Sequence, residues 1–260
     1  YRFNEAASSL YNFVWHELCD WYLEAIKPIL YGRQGLDQQN ATMAVLWFVL
    51  RDTLVLLHPF MPFVTEEIWH KLPGAQGSIM QADFPTGAVY AEVVKDNPAA
   101  VTQMDKLTAL ISGIRNIRGE MNIPPSSELE VTLQTQASAT RAIFTEQQDL
   151  IINLARLKTL TVSAPGAKPQ SAATAVVEDT TIFVFLEGII DFTKEAERLE
   201  KEITKLDREL NTVSKKLGNT NFMTKAPVDV VKKVQNRHVE VSAKLAKLQS
   251  TLDKLSSLKA

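Results

Sequence analysis

The last 67 residues carry the tightest constraint in the chain. Ala196, Leu199, Ile203, Leu206, Leu210, Val213 and Leu217 alternate three and four apart. After an interruption from Gly218 to Pro227, the same spacing runs through Val231, Val234, His238, Val241, Leu245, Leu248, Leu252 and Leu255. Apolar residues in strict 3-4 alternation over three heptads form a seam that a second helix must cover. The two runs can cover each other. Leu217 with Val231, Leu210 with His238, Ile203 with Leu245 and Ala196 with Leu252 are pairs whose numbers all sum to 448, the register of an antiparallel hairpin. At 1.5 Å per residue each helix is about 35 Å long. The spacing predicts a projecting two-helix arm.

Charge follows the same division. Residues 194–260 hold 15 Lys/Arg against 9 Asp/Glu, net +6, whereas residues 1–193 hold 13 against 21, net −8; together they give the formal −2 of the whole chain. A basic tail on an acidic body points to a polyanionic partner, with a lysine-rich solvated surface as the alternative. The bases crowd at the arm's tip: Lys215, Lys216, Lys225, Lys232, Lys233 and Arg237 face one acid, Asp229, between residues 212 and 237. Phe222 falls in the connecting loop, either exposed or as an apolar cap on the hairpin. Lysines neutralise phosphates through counterion release, and an aromatic or guanidinium plane stacks on unpaired bases. Such a tip suits a large folded RNA.

The chain as a whole has ordinary globular composition, 45% apolar and 22% charged. One long helix is expected over residues 1–31, with Phe3, Ala7, Leu10, Val14, Leu18, Trp21, Ala25 and Ile29 on its apolar face. A second, apolar nearly all round and so expected to be buried, covers about Thr42 to Leu57, and a third about Thr65 to Leu72. All four tryptophans lie in these first 72 residues, as expected of a core. A linker from Pro73 to Asn97 holds one strand-like piece near Ile79 to Phe84. A helix then carries Val101, Met104, Leu107, Ile111, Ile114 and Ile117 inward. Beyond it come a strand at 129–133, a helix at 139–154, and strands at 160–162, 175–177 and 181–186. The fold class is mainly α: a helical bundle (1–96), a small α/β junction unit (97–191) and the coiled-coil arm (192–260).

Several functions find no support. Arg51, Asp52 and His58 interrupt the most apolar stretch, and each charge at a bilayer centre costs roughly 2.5–3.5 kcal/mol, so no membrane span is expected. One cysteine, Cys19, excludes a disulfide framework and fits a reducing cytoplasm. No glycine-rich phosphate loop, Gly-x-Ser-x-Gly or His-Glu-x-x-His motif occurs, and His16, His58, His70 and His238 have no metal-ligand spacing. No catalytic or metal site is expected in this chain alone. The competing class is a protein–protein module that recruits a partner helix; it would expose charges of both signs along the whole arm.

Several motifs resemble the valyl-tRNA synthetase family, from one end of the chain to the other. They are Phe3-Asn4-Glu5-Ala6-Ala7, Cys19-Asp20-Trp21-Tyr22-Leu23-Glu24, His58-Pro59-Phe60-Met61-Pro62-Phe63 and Thr65-Glu66-Glu67-Ile68-Trp69. Ile114-Arg115-Asn116-Ile117-Arg118 with Asn122-Ile123-Pro124-Pro125 belongs with them. Most of these recur in leucyl and isoleucyl relatives; the loop Phe222-x-x-Lys225-Ala226-Pro227 selects the valine family. The resemblance implies a C-terminal piece with an anticodon-binding bundle and an arm that supports the outer corner of tRNA(Val), where the D and T loops meet. It implies Arg237 as first contact at that corner, Lys215, Lys216, Lys225, Lys232 and Lys233 on phosphates, and Arg33, Arg115 and Arg118 as anticodon-stem candidates. ATP and magnesium would serve the parent enzyme and not this piece, which is expected to be a monomer without DNA partners. Two departures stand out: Val234-Gln235 replaces the family's Glu-Arg or Glu-Glu, and the family's anticodon domain begins with a helix upstream of Tyr1.

Overall fold

The computed structural model of the chain describes residues 2–167, 169, 172–189, 191–225 and 227–259; the side chains of 223, 225, 228, 254 and 257–259 fall outside that description. Two compact units divide it, Tyr1–Thr108 and Ala109–Ala260. It is mainly helical, with one four-stranded sheet.

In the first unit, α1 (Phe3–Asn12), a wide π-helical stretch (Phe13–Leu23) and α2 (Glu24–Leu30) follow one another without a break. Helix α3 (Leu36–Leu57) begins six residues ahead of the expected Thr42. Gly35, at φ 88°, supplies the turn into it, and Asp37 sits favourably in its first turn. Helix α4 (Pro62–Trp69) likewise starts early, because Pro62 fits a first-turn position whose N–H would have no partner anyway. Thr65 is therefore buried inside the helix, donating to the Met61 carbonyl at 2.8 Å, with His58 Nδ1 also 2.8 Å from its hydroxyl.

The expected strand at 79–84 is absent. Ser78 caps a single 3₁₀ turn over Ile79–Gln81, and α5 (Ala88–Asp96) occupies much of the supposed linker. A strand would have needed an alternating buried face, but only Ile79 is deeply buried while Met80 and Phe84 are exposed. Ile79 joins Leu54, Val55 and Trp69 in the unit's small core, edged by Leu50 and Leu72. Polar ties surround it. Trp47 Nε1 donates to the Pro73 carbonyl at 2.9 Å, and the Tyr90 hydroxyl donates to Asp52 at 2.8 Å. Desolvation, reinforced by that carboxylate, pushes the Tyr90 phenol up to about 12.

Two expectations for this unit fail for one reason. Helix α3 is not buried on most sides, and only one of the four tryptophans, Trp69, is fully buried; Trp15 is 53% exposed. Helix α3 packs against α2 and α4, and the rest of its surface is left open. Met43, Val45 and Phe48 of α3 thus stay more than half exposed. By length and composition α3 could cross a membrane, but among the described residues no other helix could. Arg51 and Asp52, paired at 2.6 Å within it, oppose that reading.

In the second unit the last turns of α6 (Pro98–Glu120) place Leu110, Ile111, Ile114 and Ile117 in the core. They meet the inward faces of a sheet ordered β2-β1-β4-β3, built from β1 (Leu129–Thr135), β2 (Leu157–Ser163), β3 (Ala172–Val177) and β4 (Thr180–Phe185). β1 runs parallel to β2 and antiparallel to β4, and β3 is antiparallel to β4. The expected single helix over 139–154 is two, α7 (Ser138–Glu146) and α8 (Gln148–Ala155), because Gln147 leaves helical backbone at φ −96°, ψ 22°.

The arm follows as α9 (Phe192–Leu217), the short α10 (Thr220–Lys225) and α11 (Val228–Lys259). Every seam residue from Ala196 to Leu255 is buried or half-buried. Asp191 caps α9, accepting from the Thr193 and Lys194 amides at 3.1 Å each, and those bonds hold its carboxyl below the ordinary value.

The sheet rests against α6 at Gly113, where an added Cβ would lie 2.6 Å from Val177 Cγ2 and 2.9 Å from Ile182 Cδ1. Gly113→Ala should lower unfolding free energy in urea by about 1–3 kcal/mol. Gly119→Ala, with nothing within 4 Å, should hold or raise it. Equal behaviour of the two variants would refute this contact.

Candidate nucleic-acid interface

The seam makes the arm's tip a defined surface. Lys215 and Lys216 sit in the last turn of α9, and Lys232 and Lys233 in the second turn of α11, all four exposed. None of the four makes an ion pair among the described residues, although Lys194, Arg198, Arg237 and Lys244 of the same arm all do. Helix electrostatics explains only half of this set. Cations are favourable at a helix C-terminus, which accounts for Lys215 and Lys216, but gain nothing near an N-terminus, where Lys232 and Lys233 lie. The α11 pair has neither an ion-pair partner among the described residues nor support from the helix end. The side chain of Lys225 lies outside the described residues.

Arg237 has a different place. Its Nε and Nη2 both reach Glu209 Oε1 of α9 at 2.7 Å, and its Nη1 reaches Glu240 Oε2 at 3.0 Å. The hydrogen bond that Arg237 donates to Glu209 is the largest cause of its raised pKa. One step down the arm, Lys244 meets Glu202 at 3.3 Å. Both pairs sum to 446, two below the seam's register, so both cross the same side of the hairpin. His238 Nε2, 3.1 Å from Ser214 Oγ, adds a third tie between α9 and α11. Exposed ion pairs add little stability singly. Repeated at one spacing, these fix the sliding register. The sequence held this signal, since the two summed pairs were readable beside the seam.

Phe222 corrects the picture of an exposed aromatic: it is half-buried in α10, whose first turn is closed by the Phe222 amide donating to Asn219 Oδ1 at 3.2 Å. Arg33 projects, exposed, from the turn after α2, with no ion pair among the described residues. Arg115 and Arg118 do not project. Arg115 Nη2 donates to the Leu154 carbonyl at 2.9 Å. Arg118 donates to four carbonyls: Pro124 at 3.1 Å, Ser127 at 2.8 Å, Ala155 at 3.2 Å and Arg156 at 3.1 Å. The C-terminal carbonyls of α8 lack helical partners, and these guanidinium groups supply them. Their sequence signal, two arginines three apart on a helix, is the same for a phosphate contact and for a helix-end pin.

Known proteins resemble the chain in the same two regions. Residues 1–133 match the anticodon-binding domain of tRNA ligases, and residues 191–256 match the valyl tRNA synthetase tRNA binding arm. A valine--tRNA ligase of Syntrophotalea carbinolica is 42% identical over 260 residues, which cover 99% of this chain and 28% of that protein. The valine--tRNA ligase of Geobacter sulfurreducens is 41% identical, over 99% of the chain and 29% of its own length. That of Thermotoga maritima is 39% identical, over 97% and 28%. The chain thus spans little more than a quarter of these relatives.

Removing the Arg118 pin takes a donor from four carbonyls, of which Pro124 and Arg156 keep the backbone N–H of Ser127 and Leu129. Arg118→Ala should lower unfolding free energy by about 1–3 kcal/mol in urea melts. A melt indistinguishable from the parent would return Arg118 to the list of free surface cations.

Proposed function

The chain belongs to the valyl-tRNA synthetase family, and from that premise we propose that it holds tRNA(Val) for a valine–tRNA ligase. The tip of the arm grips the outer corner of the tRNA where the D and T loops meet. Lys215, Lys216, Lys232 and Lys233 neutralise phosphates there. Arg237 works as a positioning residue, because its bonds to Glu209 and Glu240 fix the register that brings the two lysine pairs together. The first unit takes the anticodon stem-loop, with Arg33 as an exposed cation on the turn after α2. The single observation that carries the reading is the set of four exposed tip lysines without ion pairs, two of them where a helix gives cations no support.

ATP and magnesium belong to the parent's aminoacylation step. The protein-module alternative loses its footing, because the charges that would choose a partner helix, Glu202, Glu209, Arg237 and Lys244, are engaged within the hairpin.

Binding of a tRNA(Val) transcript over a salt series tests the proposal. Each neutralised phosphate contributes about 0.7–0.9 to the log-log slope, so K215Q/K216Q/K232Q/K233Q should flatten it by roughly 3. R237A and E209Q should both weaken binding, and the double variant no more than either alone. If E209Q instead tightens binding, Arg237 touches RNA directly. An unchanged slope in the quadruple variant sinks the tip assignment.

A further inference from the structure

The arm carries a second basic surface that runs down its shaft from the tip lysine Lys215. Two residues past each seam position on α9 stand Arg198, Lys201, Lys205, Arg208, Thr212 and Lys215. These positions lie on the side of the helix opposite the seam, and all six are exposed. Five of the six are cations and none is an acid. Arg198 is neutralised by Glu195 at 2.6 Å and Glu202 at 3.0 Å. Lys201, Lys205, Arg208 and Lys215 form no ion pair among the described residues. They run about 21 Å along the shaft, from near its root to the tip.

Solubility alone does not account for this stripe. The matching positions of α11 are Lys233, Asn236, Glu240, Ala243, Lys247, Ser250, Lys254 and Ser257, a mixture of three cations, one acid and four uncharged residues. Both helices face water equally on their outer sides, so a generic demand for charge would treat them alike. The asymmetry marks one face. On that face an open trough of about 580 Å³ is lined by Glu197, Glu200, Lys201, Thr204, Lys205 and Arg208. Thr204 forms its low floor, its hydroxyl turned back onto the Glu200 carbonyl at 2.8 Å. The two acids stand at the root end, and Asp207 lies half-buried on the flank beside the seam. The positive field therefore begins at Lys201 and strengthens toward the tip.

We propose that the outer face of α9, through Lys201, Lys205, Arg208 and Lys215, is a phosphate-binding rail that holds an RNA backbone along the shaft of the arm. The inference rests on the tRNA-holding function proposed above and extends it: the arm takes RNA along its length and not by the tip alone. A duplex presents about one phosphate per 1.7 Å, so 21 Å of RNA offers more phosphates than the rail has cations. The number of cations sets the effect. The recognition is of backbone charge and carries no base sequence.

The test uses the whole chain and a tRNA(Val) transcript, comparing K201Q/K205Q/R208Q with the tip variant K232Q/K233Q between 50 and 200 mM salt. Circular dichroism of each variant checks that the arm stays helical, as outward positions allow. Three rail contacts should flatten the log-log slope by about 2–3, so the parent should lose about 30-fold more affinity than the rail variant across that salt range. A plain RNA hairpin duplex, lacking the tRNA corner, should also bind less tightly to the rail variant, and be nearly indifferent to K232Q/K233Q. If K232Q/K233Q flattens the tRNA slope while the rail variant does not, the rail is refuted and the tip reading stands. If neither set changes the slope, both are refuted.

Discussion

Antiparallel pairing of α9 with α11 is the interaction on which the functional surfaces depend. A helix with so many charges has too little apolar area to persist alone over 26 residues, and most helical stability comes from packing. Leu199, Leu206, Val241 and Leu255 are nearly completely removed from water in the seam. That burial turns two marginal helices into a rod. Two lysine pairs far apart in sequence meet at its tip only because the seam and the Glu209–Arg237 and Glu202–Lys244 ties forbid sliding.

The rod must also be rooted. Asp191 caps the entry into α9, and the last turns of α11 return to pack beside β3. The sheet behind them is anchored on α6 through the glycine contact at Gly113 and stapled at the end of α8 by Arg115 and Arg118. In this account the small α/β unit has a mechanical task. Its core is apolar, and Arg115, Arg118 and Arg141 donate to backbone carbonyls.

How much of this was legible in the sequence depended on whether one signal had one physical meaning. The heptads did: a 3-4 seam with constant sums admits a single solution, and the arm stands where its spacing placed it. The alternation in β1 did as well, since Leu129, Val131 and Leu133 point the same way. Other signals were shared between outcomes. Ile79 to Phe84 had strand-like residues but only one buried side chain, so a 3₁₀ turn satisfies it. The break at Gln147 has no glycine or proline to announce it, and is set by packing on the sheet. Arg115 and Arg118 read like phosphate contacts because a guanidinium serves carbonyls and phosphates with the same donors. The shaft rail lay in plain view, two residues past the seam, beneath the louder cluster at the tip.

Backbone protection of a tRNA(Val) transcript by the whole chain, mapped nucleotide by nucleotide, tests the central claim most directly, because it reports where the arm touches and not only how tightly. The account predicts protection concentrated at the D-loop and T-loop corner, lost when the four tip lysines are replaced. Protection confined to the anticodon stem-loop, with the corner as reactive as in free tRNA, would contradict it.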